Sequence, residues 1–171
     1  TPIPSRHPHR HAGPMGHLSP VHRGHAALRR GRASACGQVY LVTFTTRDRK
    51  PRFADPAAAG AMARALVDRR LWNSSRLLAW VLMPDHWHGL VELGGQDYLP
   101  ALVQRIKSNT ARHVRHAVPD IDRVWAPAYH DRALRAEEQL VDAARYVVMN
   151  PVRAGLVRRV GDYPYWDAVW V

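Results

Sequence analysis

The sequence predicts an α+β domain: an antiparallel sheet with helices on one face. Two observations carry this prediction. Apolar stretches of strand character alternate with longer stretches of helical period in the order β-α-β-β-α-β-α. Proline, glycine and polar turns separate them at nearly every junction. Length sets the scale, because 171 residues suffice for one cored domain and scarcely for two.

The elements follow in order. Val39-Tyr40-Leu41-Val42-Thr43-Phe44-Thr45-Thr46 is β-branched and aromatic, which suits a pleated strand. Arg47 to Pro51 forms a polar turn. Asp55 is placed to cap a helix with Pro56 at its first position, and Ala61, Met62, Leu66 and Val67 carry helical spacing to about residue 70. Leu77 to Met83 predicts a second strand, punctuated by Pro84-Asp85, and His86 to Leu93 a third, closed by Gly94-Gly95. A helix is expected over about 98–116, with Leu99, Leu102, Val103 and Ile106 on one face. After a loop holding Trp125, Tyr129 to Leu134 predicts a fourth strand. A last helix runs over about 136–149 and stops at Pro151. The first six elements form the split βαβ, ferredoxin-like pattern; the final helix is an addition that must find its own packing surface.

Charge narrows the function. The net charge is +11, and segment 1–37 holds six arginines and no acid, so five positive charges remain for 38–171. That balance suits a polyanionic partner, although a solubilising surface has the same signature. Segment 1–37 is rich in Pro, Gly, His and Arg without hydrophobic period and reads as a disordered basic tail; its six histidines are too scattered to define a metal site. The single cysteine, Cys36, excludes an internal disulfide framework and a multi-cysteine metal site. No apolar run approaches the roughly 20 residues of a membrane span, no h-region follows the first basic residues, and a cytoplasmic location is expected.

His86-Trp87-His88 is the most informative triplet. On a strand, alternation sends His86 and His88 to one face, where they can share a divalent ion, and Trp87 into packing on the other. Such a pair also arises as surface decoration. Tyr146 lies on the last helix with Asn150 one turn later, so a phenol and an amide oxygen can approach one ion or phosphate. A core aromatic near a helix end is the plainer explanation, yet Val147, Val148, Val141 and Ala144 already supply an apolar stripe, which leaves Tyr146 at its edge. Together the pieces suggest phosphodiester chemistry: a hard cation on two histidines and an amide oxygen neutralises the phosphate, and the tyrosine attacks. A mixed His/Asn site with open positions favours Mg²⁺ or Mn²⁺ over a closed structural zinc site.

These residues also carry a family resemblance, from about Tyr40 to Trp166. Val42-Thr43-Phe44-Thr45-Thr46-Arg47 with Arg52-Phe53, the run Val81 to Val91 around Pro84-Asp85-His86-Trp87-His88-Gly89, Val124-Trp125 with Tyr129-His130-Asp131-Arg132, and Arg145 to Val157 together resemble the HUH (histidine–hydrophobe–histidine) single-tyrosine transposases, and within them the REP-associated tyrosine transposases. The resemblance implies His86 and His88 as metal ligands, Tyr146 as nucleophile, and Asn150 as the polar residue completing the metal shell. It implies cleavage of single-stranded DNA near hairpin-forming repeats through a 5′-phosphotyrosine. Trp87 is bulkier than the small aliphatic residue often found between the histidines.

Further DNA contacts are expected from Arg105, Lys107, Arg112 and Arg115 on the second long helix, from Arg132 and Arg135 beside the fourth strand, and from base stacking by Tyr129. A solvated cationic face is the alternative for each. Three other functions stand beside this one: an HUH nickase of replication or plasmid transfer, a catalytically silent hairpin-DNA-binding module of the same fold, and a protein whose histidines hold a structural metal. The NPVRAGLV run argues against the first, intact His86, His88 and Tyr146 against the second, and the lack of cysteine partners against the third. The resemblance leans towards a monomer.

Overall fold

A computed structural model describes residues 36–135 and 137–170; the expected tail, 1–37, lies outside the described residues except for its last two. Five strands, β1 (Val39–Thr45), β2 (Arg76–Met83), β3 (His86–Glu92), β4 (His130–Ala133) and β5 (Trp166–Ala168), form one sheet in the order β4-β1-β3-β2-β5. Every neighbouring pair is antiparallel. The helices are α1 (Pro56–Leu66), α2 (Arg69–Trp72), α3 (Leu99–Ala117), α4 (Glu137–Val148) and α5 (Asn150–Arg153). The first four strands thus take the order of the split βαβ fold expected from the sequence.

Strand alternation sorts the side chains into two layers. Tyr40, Val42 and Phe44 of β1, Trp80 and Leu82 of β2, and Trp87 and Val91 of β3 face one side, where Met62 and Leu66 of α1 and Leu102, Val103 and Ile106 of α3 close the main core. Ala79, Val81 and Met83 of β2 and Leu90 of β3 face the other side, beneath Ala143, Ala144 and Val147 of α4. The final helix therefore covers the face that α1 and α3 leave open. Its buried stripe differs from the expected one in two residues: Val141 is exposed and Val148 only half-buried, whereas Ala143 and half-buried Leu140 pack with Ala144 and Val147.

Local chemistry explains most boundaries. The Asp55 side chain accepts from the amides of Ala57 and Ala58, with Pro56 in the first turn, and so caps α1. That helix ends at Leu66, short of the expected residue 70, because Asp68 accepts from the Arg70 amide and caps a separate turn, α2. Pro151 acts differently from the simple stop predicted. The chain breaks at Met149 and restarts, and Pro151 stands in the first turn of α5, where its missing N–H costs nothing. Gly155 then adopts φ +70°, the left-handed turn that glycine allows. Strand β5, three residues that extend the sheet beyond β2, was not expected; it is too short to show a period.

Trp87 is fully buried and stacks on Phe44 with ring centroids 4.8 Å apart. Gly89 makes this possible. It follows Trp87 on the same face of β3, and a Cβ built there would lie 2.0 Å from the indole. The bulk between the two histidines is thus matched by the absence of a side chain two residues later.

Candidate active site

The β2–β3 hairpin delivers His86 and His88 to the α4 face of the sheet, since Trp87 between them points into the opposite core. Their rings stand nearly perpendicular, with centroids 4.7 Å apart. Each ring is oriented through Nδ1. His86 Nδ1 lies 2.5 Å from Asp85 Oδ1, and Asp85 Oδ2 accepts from Arg49 Nη1 at 3.1 Å. His88 Nδ1 lies 2.6 Å from Thr43 Oγ1 on the adjacent strand, where Thr43 and His88 are register partners. With both Nδ1 atoms engaged, the Nε2 atoms are the ones left for a ligand, and an outer partner on the far nitrogen is how proteins orient metal-binding imidazoles.

The turns around the hairpin are tied together. The hydroxyl of buried Thr46 donates to the Lys50 carbonyl at 2.7 Å and lies 3.0 Å from the Asp85 carbonyl, to which the Thr46 amide donates at 2.8 Å. Burial works to raise the Asp85 pKa, but hydrogen bonds from His86 and Arg49 outweigh it and hold the carboxyl below its ordinary value. His88 is pushed down to about 3, first by burial and then by the positive surroundings of His86, Arg153 and Arg49. It is therefore the neutral imidazole that a metal needs.

Tyr146 reaches this site from α4. Its neighbours Ala143, Ala144 and Val147 are buried against the sheet, while the tyrosine is 43% exposed, with its ring centroid 5.9 Å from that of His88. A helix position at the edge of the buried stripe explains both facts. Asn150 is buried, and its amide nitrogen donates to the carbonyls of Tyr146 and Val147 at 3.0 and 3.4 Å. Its oxygen lies 3.4 Å from Arg153 Nη2. The structure thus brings His86 and His88 together with Tyr146, from which α3 and β4 separate them along the chain. Among the described residues no group of three or more His, Cys, Asp and Glu side chains converges as a metal cage. A divalent ion here would rest on two imidazole nitrogens, an amide oxygen and water. The donor set fits such an open site.

The other sequence candidates fall into two groups. Arg112, Arg115, Arg132 and Arg135 are exposed. Arg115 lines a cleft of about 510 Å³ with Arg47, Arg123 and Gln104. Arg132 of β4 pairs with Leu41 of β1, which puts it on the same sheet face as the histidines; His130, the partner of Thr43, shares that face. The remaining candidates have work inside the fold. Lys107 is buried and donates to the carbonyls of Ala126, Pro127 and Ala128. Arg105 donates to the Leu71 carbonyl at 2.7 Å and to buried Asp97 at 2.9 Å. Tyr129 is buried in the main core, where no unpaired base can stack on it.

The family described as IS200-like transposases matches over residues 36–148. The chain belongs to that family. It is 30% identical over 130 residues to the REP-associated tyrosine transposase of Escherichia coli (strain K12), a match covering 75% of each chain. It also matches the structure of a REP-associated tyrosine transposase solved bound to a REP hairpin, with TM-score 0.61, 24% identity and 79% of each chain covered, a likeness that speaks for the fold. A protein of Deinococcus radiodurans R1 described as a transposase aligns with TM-score 0.52 and 25% identity over 70% of this chain and 95% of its own. Within the IS200-like transposases, the chain groups with the REP-associated branch that its motifs resemble.

Four residues of this site went unassigned from sequence: Asp85 and Arg49, which sat in turns read only as punctuation, and Thr43 and Arg153. Thr43 was invisible because its link to His88 depends on strand register. Arg153 lies seven residues beyond Tyr146, two helical turns on, but beyond the expected helix stop at Pro151, so helical spacing was not carried as far as it. Its guanidinium sits 3.9 Å from the Tyr146 ring centroid.

Proposed function

We propose that this chain is a metal-dependent single-stranded DNA endonuclease and strand-transferring transposase, acting in the cytoplasm at hairpin-forming repeats. The observation that carries the reading is the approach of solvent-accessible Tyr146 to the His86–His88 pair on one sheet face. The solved relative bound to a REP hairpin supports hairpin DNA as the substrate class. The net charge of +11 supports a polyanionic one.

His86 and His88 would hold Mg²⁺ or Mn²⁺, with the Asn150 amide oxygen as third protein donor. When bound, the ion supplies Lewis-acid neutralisation of the phosphate. The Tyr146 oxygen forms a bond to phosphorus and releases its proton to solvent. The P–O3′ bond breaks, and the departing oxygen takes up a proton as a free 3′-hydroxyl. The product is a 5′-phosphotyrosine, which keeps the phosphate in ester linkage so that a 3′-hydroxyl can later displace the tyrosine and rejoin a strand. Exposed Arg112, Arg115, Arg132 and Arg135 contact backbone phosphates.

The deciding experiment incubates the full chain with Mg²⁺ or Mn²⁺ and single-stranded oligonucleotides carrying the hairpins that flank its gene. A denaturant-resistant protein–DNA adduct is expected, absent in Tyr146→Phe and strongly reduced in His86→Ala. Tight binding with no adduct would instead make the chain a catalytically silent hairpin-binding module.

A further inference from the structure

Tyr146 is 43% exposed at the end of a helix, and its ring meets the site through a 5.9 Å edge contact with His88. An exposed tyrosine held so lightly has rotamer freedom, and a nucleophile that wanders loses the advantage of proximity. Arg153 stands against it. The helix is interrupted at Met149 and resumes at Asn150 with Pro151, and Arg153, two helical turns beyond Tyr146, lies over its ring. The guanidinium carbon lies 3.9 Å from the ring centroid, the distance of a face-on cation–π stack. Nη1 lies 3.5 Å from the Tyr146 carbonyl and Nη2 3.4 Å from the Asn150 amide oxygen. Those two hydrogen bonds are long, so the stack is the dominant contact and the bonds set the plane of the fork.

We propose that Arg153 is a positioning residue for Tyr146: it clamps the phenol ring against the histidine pair, so that the hydroxyl is presented to the phosphodiester in one orientation. The inference rests on Tyr146 being the nucleophile. An arginine is suited to the task because a planar cation can cover the ring face and bridge to the Asn150 amide, whereas a lysine offers a point charge without a plane. An arginine that served the fold alone would reinforce the α4–α5 junction without affecting the chemistry of the ring.

The test uses the full chain with ring-¹³C tyrosine, with the Tyr146 resonance assigned by its loss in Tyr146→Phe. It compares Arg153→Gln and Arg153→Lys by NMR and by single-turnover adduct formation at saturating hairpin oligonucleotide. Arg153→Gln is expected to move the Tyr146 resonance and to slow adduct formation roughly tenfold or more, with the dissociation constant changed by less than about twofold. Arg153→Lys should recover only part of the rate, and it carries the comparison if the glutamine variant fails to fold. An unmoved Tyr146 resonance in Arg153→Gln overturns the clamp whether or not the chain cleaves DNA. A moved resonance with an unchanged saturated rate overturns the positioning role and leaves Tyr146 as nucleophile. Weakened affinity with an unchanged saturated rate makes Arg153 a DNA contact instead. Failure of the unaltered chain to form any Tyr146-dependent adduct removes the nucleophile assignment and the positioning role together, while the NMR comparison still reports on the stack.

Discussion

The hydroxyl of Thr43 lies 2.6 Å from Nδ1 of His88, across the β1–β3 register. This contact fixes the ring plane and directs Nε2 towards the shared face. Thr43→Val keeps the shape and removes the hydroxyl. It is expected to weaken Mn²⁺ binding by roughly 10–100-fold, the usual effect of losing an outer partner. Titration calorimetry with Mn²⁺ checks this, and unchanged affinity would mean that packing alone orients His88.

Trp87 and Gly89 should be energetically coupled. A Cβ at position 89 would meet the indole at 2.0 Å, so Gly89→Ala must displace a fully buried ring. A loss of about 1–3 kcal/mol is expected for this overpacking. In a Trp87→Leu background the same change should cost much less. Urea unfolding of the four proteins gives the coupling directly, and strict additivity would contradict the steric account.

Stability should depend on pH through His88. Its folded pKa is pushed down to about 3 by burial and neighbouring positive charge, from an ordinary 6.5. Above the ordinary value neither state holds the proton. As pH falls below it, the unfolded chain binds a proton that the folded site refuses, so stability drops progressively between about 6.5 and 3. The full effect is on the order of a few kcal/mol. Metal-chelated protein should therefore lose stability in mild acid, and His88→Gln should flatten that slope in denaturant titrations at several pH values.

Lys107 and Arg112 stand on the same helix and should respond oppositely. Lys107 donates to three loop carbonyls from a buried position, so Lys107→Met is expected to cost roughly 1–3 kcal/mol by leaving acceptors unpaired. Arg112 is exposed, so Arg112→Ala should leave thermal stability nearly unchanged and lower the salt slope of DNA binding by about one. A salt-slope change for Lys107 with intact stability would reverse these roles.

Sequence and structure divided the work according to range. Alternation along one strand and spacing along one helix are local, so the His86–Trp87–His88 split and the edge position of Tyr146 were legible from the residues. So was the order of the first six elements, because turns, caps and periods act over a few residues. The three-residue β5 and the break before α5 had no period long enough to read. The meeting of side chains from different elements was decided by the fold. Thr43 reaches His88 through strand register, α4 sits on the open face because that apolar surface was left uncovered, and Arg153 meets Tyr146 because the chain resumes a helical turn past Met149. The same holds for Lys107, Arg105 and Tyr129, whose types suggested DNA contact but whose polar or aromatic groups are used inside the fold. Charge and residue type are properties of the chain, whereas burial and partnership depend on what the packed elements enclose.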